Sequence, residues 1–89
     1  IFPADSSCLQ FNTDYKGNDI VGSSGTPCYE KTDTPLACQR LCQKTKDCLE
    51  FTWIGKSHSG PLKCCLKHTK SNKHTANFDV VSGPKFCGK

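Results

Sequence analysis

Eight cysteines in a chain of 89 residues restrict the possible folds more than any other property of this sequence. At about 9% of the composition they fall in the range of disulfide scaffolds. A chain this short buries only roughly 60 to 65% of the surface its unfolded form exposes, so crosslinks must supplement a small core. The cysteine count is even, Met is absent, and no apolar run approaches the about 18 residues that span a bilayer. These observations point to a secreted or secretory-lumen module in an oxidising compartment, with no membrane insertion. Ile1, Phe2 and Pro3 carry no basic lead and no sustained apolar run, which suggests a mature fragment cut from a longer secreted chain. One module is expected over residues 1–89, with its core between positions 8 and 87, and serial copies of it in a parent protein are compatible with that reading.

The stretch Thr34 to Trp53, TPLACQRLCQKTKDCLEFTW, organises the rest. Asp33 and Thr34 are good N-cap residues, and Pro35 suits the first helical position, where its missing N–H and fixed φ cost nothing. Cys38 and Cys42 are four apart, so a helix projects both sulfurs from one face together with Leu41. Lys44 and Lys46 favour the negative end of the helix dipole, and the helix is expected to stop near Lys46. After Asp47 the period changes to two: Leu49, Phe51 and Trp53 share one side of a strand, with Cys48, Glu50, Thr52 and Ile54 on the other. Trp53 continues that apolar face and is expected in the core.

The flanks read as short strands and loops. Leu9 and Phe11 suggest an edge strand, residues 14–19 a turn containing an exposed Tyr15 with Asn18 and Asp19 as caps, and Ile20 and Val21 a brief strand. Gly22 to Thr26 is a Gly/Ser loop, and Cys28 and Tyr29 lead into the helix cap. Gly55 to Pro61 is a second loop, Leu62 to Lys67 a strand with the adjacent pair Cys64 and Cys65, and Thr69 to Asn77 a polar, mobile, basic segment. Phe78 to Val81 makes a last strand and Gly83-Pro84 a turn. The fold class is α+β: a single helix on a small twisted antiparallel sheet, with four disulfides.

Eight cysteines allow on the order of 100 pairings, and local geometry reduces these without choosing one. Neighbouring Cys64 and Cys65 on a strand point to opposite faces, so at most one of them meets the helix. Cys42 and Cys48 span a turn at the helix exit. Joining Cys8 to Cys87 circularises the module, with a model-dependent effect of about 4 to 5 kcal/mol on the unfolded state.

The spacing C-x3-C-x5-C followed by LEFTW, then CCLK, DVVSGPKFC at the end and YKGNDI near the start, resembles the PAN/apple domain family from Cys8 to Cys87. Within that family it is similar to the apple-type modules repeated in microneme proteins of coccidian parasites. The resemblance implies a twisted antiparallel sheet cradling one helix, with Cys8 bonded to Cys87, Cys38 to Cys64 and Cys42 to Cys48. Cys28 and Cys65 are then left for each other, a fourth bond that departs from the commonest six-cysteine pattern. It also implies an adhesive role in parasite attachment to host cells after secretion through micronemes, with a host glycan or protein, a neighbouring apple repeat or another microneme protein as partner.

Other chemistries find little support. The cysteines with His58, His68 and His74 could supply tetrahedral metal ligands, but no C-x2-C knuckle exists and the spacings match no zinc ribbon or finger, so no metal or cofactor is expected. Paired cysteines leave no nucleophilic thiol, Ser23, Ser24 and Ser59 lie beside glycines without a G-x-S-x-G elbow, and the carboxylates are scattered; no enzyme activity is expected.

Charge is more informative. Residues 1–50 hold seven acids and five bases, a net of −2, whereas residues 51–89 hold one acid and seven bases, a net of +6. Lys56, Lys63, Lys67, Lys70 and Lys73, with His68 and His74, mark a candidate cationic surface for sulfated or sialylated glycans, to which Tyr15 adds an aromatic contact. Nucleic acid is a poor fit, because no aromatic platform alternates with these lysines. Two functions follow: an adhesive protein–carbohydrate or protein–protein binding module, or a structural spacer or docking repeat with no ligand of its own.

Overall fold

A computed structural model describes residues 7–21, 25, 27–70 and 73–87. The Gly22–Thr26 loop, except Gly25, and the Ile1–Pro3 lead lie outside these residues. Strand β1 spans Gln10–Tyr15, β2 Glu30–Lys31, helix α1 Pro35–Lys44, β3 Glu50–Ile54, β4 Lys63–Lys67 and β5 His74–Pro84. They form one five-stranded sheet in the order β1-β5-β3-β4-β2, antiparallel at every pairing, with α1 packed on one face.

Thr34 caps α1 by accepting from the Ala37 amide at 3.1 Å, and Pro35 opens the first turn. The helix stops at Lys44, two residues short of the expected end. Thr45 takes an extended backbone and turns its hydroxyl back to the Leu41 carbonyl at 2.7 Å, which satisfies an orphan acceptor of the last turn.

Alternation along β3 and β4 sorts the core. Phe51, Trp53, Cys64 and Leu66 face the helix together with Val81, and meet Cys38, Cys42 and Cys48 there. Cys38 is bonded to Cys64 and Cys42 to Cys48, so the helix is tied to β4 and to the entry of β3. Cys65, one residue on, points to the other face and is bonded to Cys28. Cys8 and Cys87 join the two ends of the described fold. Trp53 is buried, and its indole donates to the Thr32 carbonyl at 3.0 Å.

The second face is also covered, which period-two patterning alone does not reveal. Glu50, Thr52 and Ser82 are buried there. The Tyr15 amide donates to the Ser82 hydroxyl at 3.2 Å, the Thr52 and Ser82 hydroxyls lie 2.7 Å apart, and Ser82 also donates to the Thr13 carbonyl. From Tyr15 the chain crosses to the far edge of β4, where Asp19 bridges to Lys67 and the Ile20 amide donates to the Leu66 carbonyl at 2.7 Å. Residues 14–15 therefore belong to β1 rather than to a turn, and Tyr15 is 6% exposed rather than open to solvent. Its amide must find an acceptor where the chain leaves the sheet edge, and the two hydroxyls provide it.

β5 starts at His74, four residues before the expected strand, because residues 74–76 pair with Thr13 to Tyr15. The polar segment after Thr69 is thus partly strand. Between the two paired stretches β5 bulges. Asn12 and Asp79 take positive φ (56° and 62°), and the Asp79 amide donates to the Asn12 side chain at 2.9 Å. Gly83 and Pro84 continue β5 instead of turning. Gly83 is opposite Phe51, and a methyl group there would lie 2.5 Å from Leu9 Cδ2 and 3.3 Å from the Phe51 ring.

Two predictions follow from these contacts. Gly83→Ala should destabilise the fold by about 1–3 kcal/mol in chemical denaturation through overpacking, and adding Leu9→Ala should recover part of that loss; an unchanged midpoint would show that the close approach is not limiting. The Asp79 carboxylate accepts from the Ser57 hydroxyl and from its amide at 3.1 Å, and these donors, with a smaller contribution from His58, hold its pKa below the ordinary aspartate value. A depressed carboxylate stabilises the anchored loop above the unfolded pKa and loses that effect as pH falls through the folded one. The Ser57 amide resonance should therefore titrate with a midpoint below the usual aspartate range and become pH-insensitive in Asp79→Asn, a residue that tolerates the same positive φ; a midpoint at or above the usual value would contradict the anchor.

Candidate functional site

The segment that crosses the second face separates two recesses. The first, about 360 Å³, is lined by Cys8, Gln10, Tyr15, Glu50, Lys70, His74 and Pro84. β1 supplies Gln10 and Tyr15, β3 supplies Glu50, and β5 supplies His74 and Pro84. The Tyr15 and His74 rings stack with centroids 3.9 Å apart and planes 17° from parallel, which follows from their position directly opposite one another in the β1–β5 ladder. The Tyr15 hydroxyl donates to Gln10 Oε1. Burial, and then the negative charge of Glu50, push the Tyr15 pKa up, so the phenol stays protonated and able to donate well above neutral pH. The recess thus offers an aromatic platform, an exposed lysine, a carboxylate and a side-chain amide, a set suited to a hydroxyl-bearing ligand.

The second recess, about 320 Å³, is lined by Asp14, Lys16, Gly17, Asp19, Cys28, Thr52, Ile54, Cys65 and Lys67. Lys67 reaches Asp19 with an N–O separation of 2.6 Å and is only 3% exposed, so its charge is neutralised inside the fold rather than displayed. Asp19 is correspondingly an ion-pair partner and not a simple turn cap. The Asp19 carboxylate and the Cys28 and Cys65 sulfurs lie within 4.8 Å of one another, but the sulfurs are bonded to each other and supply no thiolate for a metal. All eight cysteines are in disulfides, which removes any cysteine nucleophile as well.

The eight residues expected on a cationic, aromatic surface are therefore divided. Tyr15, Lys70 and His74 meet in the first recess. His68 and Lys73 are exposed at the same end of the sheet, beyond β4 and before β5. Lys56 and Lys63 sit at the opposite end of β3, separated by about 13 Å of strand. Lys67 is turned inward. Gln10, Glu50 and Pro84 carry no local sequence signal; they are brought to the recess by their register against Ser82, Lys67 and one another.

Next to the first recess, and sharing Lys70 and Pro84 with it, lies an apolar groove of about 350 Å³ that also takes in Leu49, Lys85 and Phe86. Leu49 was expected on the core face. It lies at the rim of the sheet just outside β3 and is 43% exposed.

A family model for the PAN domain matches residues 13–67, more than half of the chain and six of its eight cysteines. PAN domains are binding modules without catalytic function, the disulfide-rich structure fits an extracellular protein, and among the described residues no helix is long and apolar enough to cross a membrane. The chain belongs to the PAN domain family.

Proposed function

We propose that this PAN domain is a non-enzymatic adhesive module that binds an anionic glycan through the recess of Tyr15, His74 and Lys70. The observation that carries the reading is the Tyr15–His74 stack beside Lys70 and Glu50. The exposed face of such a stack can pack on a sugar ring, the carboxylate and amide can bond its hydroxyls, and Lys70 with nearby His68 and Lys73 attracts sulfate or sialate. Lys56 and Lys63 are too far along the sheet to join that contact. A rigid, crosslinked scaffold loses little conformational entropy at binding, and serial copies convert weak contacts into avidity.

The biological setting we propose rests on the resemblance of the YKGNDI, LEFTW, CCLK and DVVSGPKFC segments. It is attachment of a coccidian parasite to host cells, with the module secreted through micronemes as one repeat, spanning residues 1–89 with its core at 8–87, of a longer protein. The second reading, a docking repeat that contacts a neighbouring apple module or another microneme protein, is favoured by the exposed apolar side chains Leu49, Phe86 and Phe78, the last 74% exposed on the β5 bulge.

Glycan-array binding combined with heparin retention measured against salt tests the first reading. Retention should fall steeply as salt rises. His74→Ala and Lys70→Ala should each weaken binding about three- to tenfold, the range of one exposed stacking or charge contact, while Lys56→Ala leaves it unchanged. Binding no stronger than that of an unrelated basic domain, or equal losses for Lys56→Ala and Lys70→Ala, would remove the carbohydrate reading from this site.

A further inference from the structure

We infer that the groove formed by Leu49, Lys70, Pro84, Lys85 and Phe86 is a docking site for an acidic peptide segment of a protein partner that presents a Leu or Phe side chain. Its floor is apolar: Leu49 is 43% and Phe86 38% exposed, and Pro84 joins them in the lining. Both flanking cations are lysines, and among the described residues no acid lines the groove and neither Lys70 nor Lys85 takes part in an ion pair. The Lys85 ammonium lies 5.7 Å from the centre of the Phe86 ring, which holds positive charge directly over the apolar floor.

The groove is built on fixed backbone. The Leu49 amide donates to the Lys67 carbonyl at 2.8 Å and the Lys85 amide to the Leu49 carbonyl at 2.9 Å, so Leu49 is held between the ends of β4 and β5. Two helix side chains secure the other wall: Gln39 donates to the Pro84 carbonyl at 3.3 Å and Gln43 to the Lys85 carbonyl at 3.1 Å. The disulfide at Cys87 anchors the residue after Phe86. Little reorganisation is needed on binding, which favours a preformed contact.

Chemistry selects the occupant. Among the described residues, lysine ammoniums are the only polar side-chain groups in the lining, so a sugar seated there would leave most hydroxyls without a side-chain partner, a costly arrangement once water is displaced. An apolar anchor flanked by carboxylates matches both the floor and the two cations. The site shares Lys70 and Pro84 with the glycan recess but does not depend on glycan binding, because Tyr15, His74 and Glu50 lie outside it.

The test is an NMR titration of the folded, fully oxidised chain with an acidic synthetic peptide carrying one Leu and one Phe, beside a version with both replaced by Ala and a version with the acids replaced by Gln. Saturable shifts at Leu49, Lys85 and Phe86 are expected with the first peptide. Either replacement should weaken binding about tenfold, as the loss of a partly buried apolar side chain or of paired charges implies. Lys85→Glu and Leu49→Ser should each lower affinity at least about fivefold with the spectrum otherwise native, whereas His74→Ala leaves it unchanged and affects only glycan binding. No saturable shifts, equal binding of the Ala version, or a heparin fragment binding these residues more tightly than the peptide would each overturn the assignment.

Discussion

The bond between Cys38 and Cys64 is the constraint on which the rest of the structure depends. It fastens the middle of α1 to β4 at the centre of the core, where both sulfurs are buried against Phe51, Trp53 and Leu66. The buried apolar set is small, and several of its members are cysteines, so crosslinking and packing are performed by the same atoms. The neighbouring Cys42–Cys48 bond closes the corner between helix and β3, which sets where Glu50 enters the sheet and where Leu49 is left at its rim. Cys65, forced to the opposite face by strand alternation, fastens Cys28 against the second face, beside the Asp19–Lys67 pair.

With the helix side fixed, the second face is organised by a polar seam. Its centre is tied by hydroxyls: Thr52, Ser82 and the Tyr15 amide satisfy one another across three strands. This polar seam positions Tyr15, and Tyr15 positions His74 by stacking. A recess with aromatic, cationic and carboxylate groups and an adjoining apolar groove therefore sit side by side on a scaffold whose described residues are joined end to end by the Cys8–Cys87 bond. Such an arrangement allows two kinds of contact from one small module.

Local signals made much of the fold legible. Asp33-Thr34-Pro35 announces the helix start, the alternation from Cys48 to Ile54 announces β3, and the adjacent cysteines announce a strand with a bond on each face. What could not be read is what tertiary pairing decides. Tyr15 lies among turn-forming residues, yet its strand register against His74 draws it inside. Lys67 ends a strand within a basic stretch, and the long-range approach of Asp19 offsets the cost of its burial. Leu49 obeys the apolar alternation but lies past the end of the covered surface. Of the candidate site, charge patterning found Lys70 and His74, while Gln10, Glu50, Lys85 and Phe86 come together through sheet order β1-β5-β3-β4, which a single sequence does not encode in any local pattern.

Thermal unfolding of a Cys38→Ala/Cys64→Ala variant, followed by near-ultraviolet circular dichroism of Trp53, examines the central constraint most directly. Loss of this buried crosslink should cost about 2–5 kcal/mol, which in a chain of this size lowers the melting temperature by at least about 10 °C and weakens the Trp53 signal as the helix loosens from the sheet. A variant that keeps the native Trp53 signal and melts within about 2 °C of the parent would show that packing alone seats the helix, contrary to this account.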